Sequence, residues 1–296
     1  MANSSHVRSI SFPSRSQPEY LRVEIQLNRL KTWESSSISS TTTPLSLNTI
    51  QEGLVGLAEL YNCVQDLIES PTIQQTLLKH RMGRVAEEAL EASVGLIDSC
   101  DTTRELVLMM KDQVQDLQSA LRRKVGDSCI QSSFNAYVSL RKKVKKDIAK
   151  SLKALKQVEN TIASSTQVDS DQSFFKLLAV LREVSILTIS VLRSQLYFLS
   201  SPASKAKKNG WSLISKMLVK KSMACKGDEK TTNEMECVDF ALCSYLHSSD
   251  FKVDVPMIQR KLRKLNTGIE AIEAGTECLS RLLIRQRVCL LNILTP

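Results

Sequence analysis

The chain of 296 residues predicts an all-α fold, an elongated up-and-down bundle of long helices behind a flexible N-terminal arm, and three observations carry that prediction. A heptad ladder fills the last forty residues: Ile258, Leu262, Leu265, Ile269, Ile272, Thr276, Leu279, Leu283, Gln286, Leu290 and Ile293 alternate at spacings of four and three. That period keeps one line of side chains against a neighbouring helix, with Thr276 and Gln286 as its only polar members. Breakers are scarce, with nine Gly and seven Pro. Aromatic residues are only 5%, which favours long helices over a sheet with many turns. A hydrophobic fraction of 42% is enough for a real core.

Residues 1–18 are rich in Ser and Arg, lack acidic residues and contain Pro13 and Pro18, so they read as a flexible arm. A short helix follows over 19–33. The Ser- and Thr-rich stretch 34–46 reads as a linker to a bundle domain over 47–296. Within that domain, periodicity predicts helices over 47–69 and 72–97, with Pro71 between them. Asp98-Ser-Cys-Asp101 reads as a hairpin that caps the next helix, 102–125, which Gly126 and Asp127 end. Further helices are expected over 132–164, 173–199, 204–224, 232–246 and 257–294.

The span 174–199 is too charged to cross a membrane, because Lys176, Arg182, Glu183 and Arg193 interrupt it. Its apolar register, through Leu177, Leu181, Val184, Thr188, Val191 and Phe198, predicts a buried bundle helix. Enough other apolar helices exist to cover the terminal seam within one chain, while pairing with a second copy stays open.

Charge is uneven. Residues 134–226 hold 18 Lys or Arg against five Asp or Glu, although the whole chain is only +9. In the helix over 132–164, Val144, Ile148, Leu152, Leu155, Val158 and Ile162 project to one side at about 100° per residue. Lys142, Lys146, Lys150, Lys153 and Lys156 project to the other, a candidate docking stripe for an anionic partner. A second basic element, 204–226, could set Trp211, Leu213, Ile214, Met217 and Leu218 into a membrane interface. Lys216, Lys220 and Lys221 would then meet anionic headgroups. Most basic amphipathic helices simply cover a core with a solvated outer face. Nucleic acid is the weakest partner class, since no finger, RNA-recognition signature or aromatic interleaving accompanies the lysines.

In the arm, Arg8, Ser11 and Pro13 fit the Arg-Ser-x-Ser-x-Pro pattern that 14-3-3 proteins read when the second Ser is phosphorylated. The Arg would attract a basophilic kinase and the phosphate would supply an Arg-pairable dianion. The competing reading is an unmodified Ser-rich arm, because short patterns recur by chance.

Nothing in the sequence points to catalysis, a cofactor or a metal site. His6, His80 and His247 stand at no ligand spacing from one another or from a Cys, and no nucleophile elbow, phosphate loop or HExxH is present. Glu87, Glu88 and Glu91 read as a solvated helix face. The eight cysteines show no CxxC pair or framework spacing and read as reduced, intracellular thiols, with Cys278 and Cys289 as small packing residues. A cytoplasmic location is expected, peripheral membrane association is compatible with it, and the short arm disfavours a plastid transit peptide.

Several segments in order resemble a plant-specific family, domain of unknown function 241, grouped with the BYPASS-type (BPS1-like) proteins. They are the arm from His6 to Pro18, the run from Leu96 to Asp101, the run from Met110 to Arg123, the block Trp211 to Lys216, and the ending Leu282 to Leu294. Asp101 stands where that pattern would place a Gly. The resemblance spans nearly the whole chain. It implies a non-enzymatic plant protein with a role in root and shoot development, linked to restraint of a mobile root-to-shoot signal. The family supplies no established site residues.

Overall fold

The computed structural model describes residues 18–39, 45–80, 84–123, 127–164, 172–200, 233–247 and 255–294. Among these, eight helices and no strand occur: α1 (Pro18–Ser39), α2 (Leu47–Glu69), α3 (Pro71–Lys79), α4 (Arg84–Arg122), α5 (Asp127–Ser164), α6 (Gln172–Ser200), α7 (Glu234–His247) and α8 (Val255–Leu294). Three of them approach forty residues, about 60 Å at 1.5 Å per residue, so the bundle is long.

Local signals place several ends. Ser46 caps α2, its hydroxyl accepting from the Thr49 amide at 3.2 Å. The helix stops at Ser70 because Pro71 has no amide to continue it, and Pro71 opens α3. Asn233 caps α7 by accepting from the Glu236 amide at 2.8 Å.

α8 lies between α4 and α2, α6 lies against α2, and α5 closes a ring by packing on both α6 and α4. α1 covers the α2 and α6 side, while α7 packs on α8. The heptad seam of α8 is the ring's inner line: Ile258, Leu262, Leu265, Ile269, Ile272, Leu279, Leu283 and Leu290 are buried within the chain. Of its two polar members, Gln286 is half-buried, and Thr276 is fully buried and partnered, with its hydroxyl 2.7 Å from both Gln195 Oε1 and the Ile272 carbonyl. At the far end Ile293 is half-buried and Leu294 buried, the drift expected of a 3.6-residue helix against a 3.5-residue repeat. α6 is the buried helix its register predicts, with Leu177, Leu181, Val184, Thr188, Val191 and Phe198 all inside.

Three expectations need correction. Asp98 to Asp101 is no hairpin but the middle of α4. Ser99, Thr102 and Thr103 return their hydroxyls to carbonyls four residues back, at 2.7–2.8 Å, so polar residues that favour turns sit inside a helix here. The helix expected over 72–97 is interrupted, since α3 ends at Lys79 and α4 begins at Arg84. α1 runs on to Ser39, through half of the expected linker; Trp33 anchors it by donating Nε1–H to the Thr49 carbonyl at 2.8 Å.

Candidate docking surface

α5 is amphipathic in the sense its sequence predicts. Val144, Ile148, Leu155 and Ile162 are buried, Leu152 and Val158 are half-buried, and Lys142, Lys146, Lys150, Lys153 and Lys156 are all exposed. Over 14 residues the stripe extends about 21 Å. Lys143 and Lys145 are exposed beside it. Two lysines are paired on their own helix, Lys150 with Asp147 at 2.9 Å and Lys156 with Glu159 at 3.1 Å. The Lys150 hydrogen bond holds the Asp147 carboxyl below its usual range, helped by Lys143 and Lys146 nearby. Burial pushes the Glu159 carboxyl up, but Lys156 and Arg193 outweigh it and the net shift is downward. Both carboxylates therefore stay ionised under the stripe, which remains strongly basic around them.

One cation of this helix turns the other way. Arg141, beside Lys142, is buried on the apolar side, where it pairs with Asp239 of α7 at 2.8 Å and donates to the Leu199 carbonyl at the end of α6. The structure brings Tyr137 into the same cluster. Sequence reasoning counted Arg141 only as charge. The signal was there: position 141 precedes Val144 and Ile148 at core spacing, so its side chain had to face inward.

One groove flanks α5 and a second lies among α4, α6 and α8, reaching only the end of α5. The first, of about 410 Å³, runs between α4 and α5 and is lined largely by small residues, among them Ala92, Gly95, Ser99, Ser151 and Ala154. The other, of about 420 Å³, is apolar through Leu96, Ile162, Phe175, Leu178, Ile186 and Leu290. Its arginines are already engaged: Arg182 donates to the Ala163 carbonyl at 2.7 Å, and Arg287 donates to Ser93 at 2.7 Å and to the Leu90 carbonyl. Such an arrangement can hold an apolar or charged partner by contact. No group of three or more metal-ligating side chains occurs among the described residues. The His80 ring stacks on Phe174 at 4.1 Å.

Glu87 and Glu91 are exposed, whereas Glu88 is half-buried and partnered. Cys289 is half-buried, and Cys278 faces outward instead of packing. Arg8, Ser11, Pro13, Trp211, Lys216, Lys220 and Lys221 lie outside the described residues. No helix among the described residues is long and apolar enough to cross a membrane.

The family model described as Protein BPS1 matches residues 53–293, from the second turn of α2 to the end of α8. The chain belongs to the BPS1 family. The match includes every helix of the ring and the whole of α5, so in this BPS1-family chain the basic face is part of the matched region, whereas α1 precedes it. The chain has no match among curated proteins or among solved structures.

Proposed function

We propose that this BPS1-family protein is a non-enzymatic helical interaction module whose α5 lysine face docks on an acidic protein surface, in a signalling role in root and shoot development. One observation carries the docking part. Five lysines stand exposed along about 21 Å of a single helix whose opposite face is built into the core, so the charges are held in a fixed row. The developmental role rests on the family. Phosphorylation of Ser11, read with Arg8 and Pro13 by a 14-3-3 protein, would add control through the arm.

The experiment is partner capture with the full chain against a variant carrying Lys142→Glu, Lys146→Glu, Lys150→Glu and Lys153→Glu. Partners held by the native chain, released by salt and lost in the variant are the expected result. The same partners on both proteins would overturn it. A second reading, a cytoplasmic adapter on an anionic membrane surface, shares the stripe and adds the Trp211 segment with Lys216, Lys220 and Lys221. Flotation with anionic but not neutral liposomes, reversed by salt, would favour that reading instead.

A further inference from the structure

The exposed edge of α4 carries the opposite charge. Glu91, Asp98, Asp101, Glu105 and Asp112 are all exposed and recur at spacings of seven, three, four and seven, which keeps them on one line, with Asp101 at its α8 edge also accepting from the Ser280 hydroxyl at 2.9 Å. The bases of the same stretch face elsewhere: Lys111 pairs with Glu273 at 2.5 Å and Arg104 lies 3.6 Å from Glu277, both on α8. An acidic rail on α4 thus runs beside the basic rail on α5, with the small-residue groove between them.

The two rails are level. α4 and α5 run antiparallel, and a Cβ on Gly95 of α4 would lie 2.8 Å from Val158 Cγ2 of α5. Counting from that contact at about 1.5 Å per residue in each helix, α4 residues 98–112 stand beside roughly 155–141 of α5. That is the stretch holding Lys142, Lys146, Lys150 and Lys153.

We propose that this α4–α5 face docks on the same face of a second copy of the chain, about a two-fold axis parallel to the helices. Such an axis leaves heights unchanged and exchanges left for right. The acidic rail of each copy meets the basic rail of the other, and the contact is made twice. A two-fold axis across the helices would set acid on acid and base on base, so the charges select one arrangement. Like charges also recur at helical spacing on each rail, at Asp98, Asp101 and Glu105 on α4 and at Lys146, Lys150 and Lys153 on α5, where the Lys150–Asp147 pair offsets only part of the repulsion, and the partner rail relieves the rest. Gly95, Ser99, Ser151 and Ala154 put no large side chain between the rails to hold the two copies apart. The contact is charged and solvated, so the dimer is reversible and salt-sensitive.

This deepens the docking reading of α5, since the acidic surface it needs is supplied by α4 of the partner copy. The test is sedimentation of the full chain over a concentration series at low and high salt. One variant carries Lys146→Glu, Lys150→Glu and Lys153→Glu, the other Asp98→Lys, Glu105→Lys and Asp112→Lys. All six positions are solvent-exposed, and circular dichroism checks that helicity is retained. The native chain forms a dimer that salt dissociates, and each variant alone loses association by at least roughly tenfold. An equimolar mixture of the two variants restores a one-to-one dimer, because both contacts then join an acidic rail to a basic one. A native chain that stays monomeric, a dimer indifferent to both reversals, or a mixture that fails to associate would overturn the proposal. A monomer whose α5 still binds an acidic protein partner would overturn the self-association alone and leave the docking function standing.

Discussion

Arg141 of α5 and Asp239 of α7 form a 2.8 Å ion pair with only 9% and 15% of their side chains exposed. The same guanidinium donates to the Leu199 carbonyl, and the Tyr137 hydroxyl donates to Asp239 Oδ1 at 2.5 Å. Burial works against the Arg141 charge, but Asp239 more than offsets it and the net shift is upward. The helix that displays the lysines is therefore tied from behind to α7 and to the end of α6. Arg141→Ala leaves the largely buried Asp239 carboxylate without its cation, with only the Tyr137 hydroxyl still donating to it, and should cost about 3–5 kcal/mol, read as a lower urea midpoint. Arg141→Met combined with Asp239→Leu should cost much less, since neither charge is then stranded.

Gly53 lets α1 lie on α2. A Cβ there would come within 2.4 Å of Trp33 Cζ2, and the ring is held by its hydrogen bond to the Thr49 carbonyl. Gly53→Ala gains about 1 kcal/mol of helix propensity but displaces the indole. A net loss of about 1–2 kcal/mol is expected, with a change in tryptophan emission. Gly268, whose added Cβ would meet Leu47 Cδ1 at 2.3 Å, should behave alike without the emission change.

Burial, reinforced by the neighbouring Asp101 charge, pushes the Cys100 thiol up to about 12. Its unfolded-state value is the ordinary one near 9, so above that pH the folded state binds more protons than the unfolded state. The stability this thiol contributes is fully present below pH 9 and is lost as pH rises from there towards about 12. Burial raises Cys243 to about 11, which adds to the same alkaline loss. Urea midpoints should fall between pH 9 and 11, and less steeply in Cys100→Ala. At pH 8 a thiol reagent followed by peptide mapping should, among the six described cysteines, label exposed Cys278 first and Cys100 only on unfolding.

Much of the fold was legible because it rests on periodicity. The α8 seam, the α6 register and the two sides of α5 needed only the positions of apolar residues. Asp98 to Asp101 misled because Asp, Ser and Thr serve both caps and helix interiors. What decides between the two is whether their hydroxyls find carbonyls four residues back. That error also hid the acidic rail. Broken at a hairpin, Glu91 and Glu105 belong to different helices; in one continuous α4 they share a line with Asp98 and Asp112. The buried pair between Arg141 and Asp239 joins positions 98 residues apart, and no local pattern announces such a partner.

In the proposed function the fixed lysine row on α5 is what binds. Fluorescence anisotropy of a labelled oligoglutamate peptide, titrated with the full chain and with the Lys142, Lys146, Lys150 and Lys153 charge-reversal variant, tests it most directly. Binding to the native chain should weaken steeply with salt and fall by at least roughly tenfold in the variant. Equal binding by both proteins would place the anion site elsewhere and contradict it.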